Sequence, residues 1–442
     1  MHRKSCFLIV NILLCLALLP IKAFAIEAPP DIHAKHAILA NVETGLILYE
    51  EGARERTAPG YLNMIMTALL TLENVPNPDI TITISDSVNI DIKGVKNATT
   101  ASLKAGEVIS VSDLIYTLFT KNACDAANAL AEHIAGSKEE FVKMMNSKAQ
   151  EIGCKDTKFT NTHGLDDPDQ YTTAYDMYLI LKTAINRQGF MDYAHTQLKR
   201  ITKTNMTDDR YYYTSNYMIL SSPDRIVSDY YLKYARGVIS SYTVESGYSV
   251  ATVIRTDNIR YICIVMGATR DETTKTRYNY VDAKALANWA LNNYQNINVL
   301  KRNEPVAEVP VLLSSVADSV VLVAEEDYST LLPKDIDVTK LEKEIITDKK
   351  VKAPIKKGDR IGEVVFKYNG QEYGRTYLVA QSNVNMSVLL FFMDQITTFL
   401  KSKTLRLIIL ALIALIIFYL IIVYISKQRR IRRKYPRRKR YR

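Results

Sequence analysis

The chain has 442 residues, 48% hydrophobic and 24% charged, which excludes a disordered or fibrous protein and leaves room for two domains of ordinary size. Its formal net charge of +10 is misleading, because Arg3, Lys4, Lys22 and eleven basic residues in Lys427–Arg442 lie at the two ends. Without them residues 26–426 carry −4, so the folded body is mildly acidic and is not built for nucleic acid.

Residues 1–25 combine Arg3 and Lys4 with an apolar run from Cys6 to Leu19 and the small-residue pattern Ala23-Phe24-Ala25. That predicts a secretory signal peptide, with the mature chain starting at Ile26. "HAILANVETGLILYE" (36–50) reads as a hairpin turning at Glu43-Thr44-Gly45. After Ala58-Pro59-Gly60 a helix begins, with Leu62, Ile65, Met66 and Leu69 at helical spacing. "ITITISDSV" (80–88) is β-branched and strand-like, and residues 112–119 and 125–134 read as helices. Ser137 followed by Glu140 is a capping-box signature for a helix that ends near Gly153. "TTAYDMYLILKTAI" (172–185) predicts another helix. "YSVATVIR" (248–255) and "IRYICIVMGA" (259–268) predict paired strands, and a helix at about 280–294 closes the domain. Locally paired strands interrupted by helices predict an α/β layer fold with an antiparallel sheet over 26–300.

From about 300 short strand signals dominate. Asn369-Gly370 between two alternating runs is a strong two-residue hairpin signal, so 301–381 reads as a small β domain. Residues 382–406 form a linker that can lie on a membrane as an amphipathic helix. Leu407–Ser426 holds twenty residues without a charge, enough to span a bilayer. The basic tail 427–442 places itself in the cytoplasm by the positive-inside rule and favours anionic lipid. The mature chain keeps Cys124, Cys154 and Cys263, too few and too scattered for a disulfide framework, and Cys263 in "YICIVMGA" reads as a small buried hydrophobe. His33 and His36 have no ligand spacing around them, and no metal or cofactor is expected. Seven tyrosines crowd 211–234, a composition for packing or for stacking on sugars.

Three stretches resemble the serine D-alanyl-D-alanine carboxypeptidases, the low-molecular-mass penicillin-binding proteins of bacterial walls. They are "ANVETGLILYEEGARERTAPGYLNMIMTALL", "ASLKAGEVISVSDLIYTLFTKNACDAANALAEHIAG" and "FTNTHGLDDPDQYTTAYDMY". "APIKKGDRIGEVVFKYNGQEYGRTYLVA" (353–380) is similar to the β domain that follows the catalytic domain in that family. The resemblance implies a penicillin-binding, β-lactamase-like layer fold, a small all-β domain and a membrane-anchored protein facing peptidoglycan.

The family's chemistry rests on S-x-x-K, S-x-N and K-T-G. A serine hydroxyl needs a neighbouring base, and a lysine one turn on supplies it when held neutral. Aligned without gaps, the serine is Tyr61 and the lysine is Met64. The second motif falls on Asn122 and Cys124, and the third on Ile239, Ser240 and Ser241. No serine is followed three residues on by lysine, and the one S-x-N, Ser87-Val88-Asn89, lies in the strand-like segment. A tyrosine oxygen sits roughly 4 Å further out than a serine oxygen, against a required fit of about 0.5 Å. Cys124 has no activating histidine near it in sequence. Loss of nucleophile and base together costs about 10⁶-fold. The reading is therefore a non-catalytic homologue that binds peptidoglycan stem peptide, glycan or a wall-synthesis protein. The alternative is an active carboxypeptidase, and a third reading makes the ectodomain a rigid membrane adaptor.

Overall fold

Alternation sets the main sheet. In the computed structural model, which describes residues 27–221 and 229–434, His36–Asn41 (β1) and Ile47–Glu51 (β2) form the hairpin predicted around Gly45. Ala235–Thr243 (β3), Gly247–Arg255 (β4) and Arg260–Ala268 (β5) join them in one antiparallel sheet of order β2-β1-β5-β4-β3. Along β5, Ile262, Ile264 and Met266 enter one core while Tyr261, Cys263 and Val265 enter another. Period two thus serves two apolar layers, one on each face. The predicted signal peptide, residues 222–228 of the tyrosine-rich stretch and the end of the basic tail lie outside the described residues.

The first layer is helical. It contains Met64–Asn74 (α1), Val111–Lys121 (α2), Cys124–Ala135 (α3), Lys138–Ile152 (α4) and Ala174–Ala184 (α5). The second layer is led by Tyr278–Asn293 (α6). The Ser137 hydroxyl accepts from the Glu140 N–H at 3.1 Å and Gly153 closes α4 at φ 95°, so the helix has both predicted ends. The Glu140 carboxylate, however, pairs with Lys143 instead of returning to Ser137. Residues 80–88 are shorter as a strand than their composition suggests. Only Thr81–Thr83 pairs, with Val108–Ser110, and Asp86–Asn89 is a 3₁₀ turn. The Ser85 and Ser87 hydroxyls bind the Glu132 carboxylate there, a side-chain alternative to the ladder that serines favour.

The chain divides into two compact units. One runs to Ile297 and takes in Thr330–Lys340; the other comprises Asn298–Ser329 and everything from Leu341. The excursion 330–340 therefore groups with the larger unit although it falls inside 301–381. In the second unit Pro305–Leu312 (β6), Ser319–Ala324 (β7), Glu342–Thr347 (β8), Val351–Lys352 (β9), Arg360–Tyr368 (β10) and Gln371–Ala380 (β11) form a sheet of order β8-β10-β11-β7-β6-β9. Asn369 and Gly370, at φ 51° and 80°, make the tight β10–β11 turn that the dipeptide predicts. Val388–Lys401 (α7) follows, then Lys403–Lys434 (α8). Within α8, Leu405–Lys427 is 23 residues at mean hydropathy 3.3, long and apolar enough to cross a membrane.

Candidate functional site

A cleft of about 580 Å³ opens where the start of α1, the α2–α3 junction and the edge strand β3 meet. The three degenerate motifs converge here, but only in part. Tyr61, Asn122, Ser240 and Ser241 line the cleft; Met64, Cys124 and Ile239 are fully buried and do not. The position where a base would stand is therefore an apolar core site, and so is the position of the strand's cation.

Tyr61 is held from both ends. Its hydroxyl donates to the Asn97 carbonyl, and burial pushes its pKa upward. A buried neutral phenol fixed to a backbone acceptor is not a poised nucleophile. Its backbone N–H donates to Ser241 Oγ at 2.7 Å. That donor matters, because the nucleophile's own N–H is a usual member of an oxyanion hole in acyl transfer. Here the Ser241 hydroxyl already occupies it.

Gly60 explains how Ser241 fits. Gly60 has φ +52°, and a Cβ there would meet Ser241 Oγ at 2.3 Å and Ser246 Oγ at 2.6 Å. Gly164, at φ +86°, is packed from the other side, since its Cβ would lie 1.9 Å from the Gly60 carbonyl oxygen. The "THGLDD" segment thus buttresses the start of α1. Asn161 accepts from Asn63 Nδ2 at 2.9 Å through its carbonyl, and Asp166 accepts from Thr243 Oγ1 at 2.5 Å.

Asn122 closes α2 in the left-handed region at φ 54°, a conformation asparagine tolerates. Its Nδ2 donates to the Ser240 carbonyl at 2.8 Å, and its Oδ1 is buried without a hydrogen-bond partner. The Ser240 N–H reaches Ser215 Oγ at 3.3 Å. Cys124 opens α3 beneath them. Burial pushes its thiol up to about 12, and its Sγ lies 3.9 Å from the Asn122 carbonyl. A thiol so far from ionising at neutral pH is an unreactive one.

Several lining residues had no motif to announce them. Lys121 and Arg277 bring positive charge, and among the described residues no Asp or Glu lines the cleft. The Arg277 guanidinium lies 4.9 Å from the Tyr217 ring centre and 5.7 Å from that of Tyr248. The tyrosine-rich stretch divides by role. Tyr217 and Tyr230 stack into the tyrosine cluster around Tyr280, whereas Tyr211, Tyr213, Tyr231 and Tyr234 are exposed. Arg277 sits just before α6, 216 positions after Tyr61, and only the fold brings the two together.

Among the described residues no group of three His, Cys, Asp or Glu side chains is placed to hold a metal.

A sheet with a helix-rich face, and a cleft bounded by a helix start, a helix junction and an edge strand, define a penicillin-binding-protein fold. Haemophilus influenzae penicillin binding protein 5 superposes with a TM-score of 0.68 at 26% identity, covering 81% of this chain and 99% of its own. The peptidoglycan synthesis regulatory factor PBP3 of Streptococcus pneumoniae gives 0.66 at 22% identity, covering 80% of this chain and all of its own, a likeness of fold. The D-alanyl-D-alanine carboxypeptidase model matches residues 23–270, and the penicillin-binding protein 5 C-terminal domain model matches 294–386. The carboxypeptidase DacF of Bacillus subtilis is 30% identical over 82% of this chain and 88% of its own length. The chain belongs to the D-alanyl-D-alanine carboxypeptidase family.

Proposed function

We propose that this protein is a membrane-anchored, extracytoplasmic member of its family that works without catalysis, by binding peptidoglycan or a wall-synthesis partner through the cleft. The observation that carries this reading is the Tyr61 N–H···Ser241 Oγ bond, which fills the helix-start donor that an acyl oxyanion would need. The side chains agree with it: a buried phenol at 61, a buried thioether at 64 and an aliphatic group at 239 supply neither nucleophile, base nor cation. The relatives' names describe hydrolysis of D-alanyl-D-alanine, but the groups that this hydrolysis uses are absent here. Residues 26–300 carry the binding site, and 301–381 act as a spacer.

Anchoring rests on Leu405–Lys427, with the basic tail inside. Helix α7 favours close membrane contact as well. Val388, Leu389, Phe392, Met393, Ile396, Phe399 and Leu400 are each 52–70% exposed. At 3.6 residues per turn they fill one uninterrupted apolar sector of about 140°.

Fluorescent penicillin and a D-alanine release assay test the central claim. The full-length protein should show neither covalent labelling nor release. Labelling that excess unlabelled drug blocks would overturn it, and its mapping to Tyr61 or Cys124 would name the unforeseen nucleophile.

A further inference from the structure

The lining of the cleft describes its ligand. Among the described residues it presents two cations and no carboxylate, which favours an anion. It also presents aromatic faces: Tyr213 is 62% exposed, and Tyr242, 42% exposed, stacks on Tyr248 at 4.4 Å between ring centres. Flat apolar faces with polar rims suit the C–H faces of a sugar ring. The edge strand, in contrast, is closed to an extended peptide at its centre. Such a peptide binds a sheet edge through backbone hydrogen bonds. The Ser240 carbonyl is already taken by Asn122 Nδ2 at 2.8 Å, and its N–H by Ser215 Oγ at 3.3 Å. Asn122 Oδ1, buried on the same side chain, is left without a hydrogen-bond partner.

We propose that the cleft binds a saccharide bearing a carboxylate or phosphate, with the ring against Tyr213 or Tyr242 and the anion on Arg277. This rests on the reading that the protein binds wall material, and it names the part of that material that is recognised.

Saturation-transfer NMR on the full-length protein in nanodiscs tests it with three amino sugars. N-acetylmuramic acid carries a carboxylate, N-acetylglucosamine 6-phosphate a phosphate, and N-acetylglucosamine no charge. At least one acidic sugar should bind roughly tenfold more tightly than the neutral one, and which acid is preferred identifies the source polymer. Arg277→Gln should weaken binding roughly tenfold, and so should Tyr213→Ala or Tyr242→Ala, whichever removes the face that carries the ring. Tyr211→Ala, on the same short strand Arg210–Tyr213 but outside the cleft lining, should leave it unchanged. Equal binding of neutral and acidic sugars, or none by any of the three, overturns the proposal. A sacculus sedimentation assay separates the two readings. Co-sedimentation without acidic-sugar binding sinks the saccharide inference alone, whereas loss of co-sedimentation removes the peptidoglycan reading itself.

Discussion

Gly60 and Ser241 should behave as one unit. In the alignment with the family motifs, Gly60 replaces the alanine of P-A-S-x-x-K and Ser241 replaces the glycine of K-T-G. The small residue has changed sides of one contact. A Cβ on Gly60 would stand 2.3 Å from Ser241 Oγ, so the family's alanine cannot coexist with this serine. Gly60→Ala alone should cost about 1–2 kcal/mol for a left-handed alanine and about 1–3 kcal/mol for overpacking. Ser241→Gly alone should cost about 1 kcal/mol for the lost bond to the Tyr61 N–H and up to about 1 kcal/mol for a glycine in a strand. The double variant removes the harder clash, although Ser246 Oγ, 2.6 Å from the same Cβ, keeps some of the strain. The double should therefore be less destabilised than the two singles together by at least about 1 kcal/mol. Trp289, the chain's one tryptophan, lies in α6 and reports unfolding of the larger unit by fluorescence. Additivity within about 0.5 kcal/mol would refute the coupling and, with it, the idea that the two positions exchanged together.

Met64→Lys should destabilise the larger unit by several kcal/mol because it puts an unpaired cation into a site with 0% exposure; Met64→Leu should cost under about 1.5 kcal/mol, and similar melting of the two variants would contradict this. Burial works to raise the Asp91 pKa, but the His163 ring 3.6 Å away and the Lys138 ammonium at 2.9 Å outweigh it and hold it at about 2. A depressed carboxylate contributes stability that is present above its ordinary pKa near 4 and lost as pH falls towards 2, so Asp91→Asn should flatten the stability–pH curve in that window. Cys124, with its thiol pushed up to about 12, should resist iodoacetamide at pH 8 in the folded protein and react once urea unfolds it; rapid native alkylation would show the site to be open. Protease added to spheroplasts should digest the ectodomain and spare the basic tail, and protection of the ectodomain would reverse the proposed topology.

Much of the architecture was legible because it is written locally. A hairpin at Asn369-Gly370, a cap at Ser137 and an end at Gly153 each depend on residues within a few positions of one another. The family motifs carried the rest of the fold, since their order and spacing survive even where their residues differ. Residues 80–88 misled for a physical reason. Their β-branched start favours a strand, but Ser85-Asp86-Ser87 can satisfy hydrogen bonds through side chains, and Glu132, far along the chain, completes that option.

The site was legible as a loss and illegible as a gain. Single positions show that serine became Tyr61 and lysine became Met64. They do not show that Ser241 bonds the Tyr61 N–H, because that bond joins residues 180 positions apart. They do not show that Asn122 and Ser215 close the strand edge at Ser240, or that Lys121 and Arg277 leave the cleft positive. The distinction bears on function. A cleft that had merely lost its catalytic groups would keep a vacant oxyanion donor and a vacant strand edge. This one has refilled both with its own hydroxyl and amide groups, and it keeps cations and exposed aromatic faces around them. Substitutions that satisfy each other's hydrogen bonds make a surface different from that of an emptied active site, and that difference is the ground of the proposed binding role.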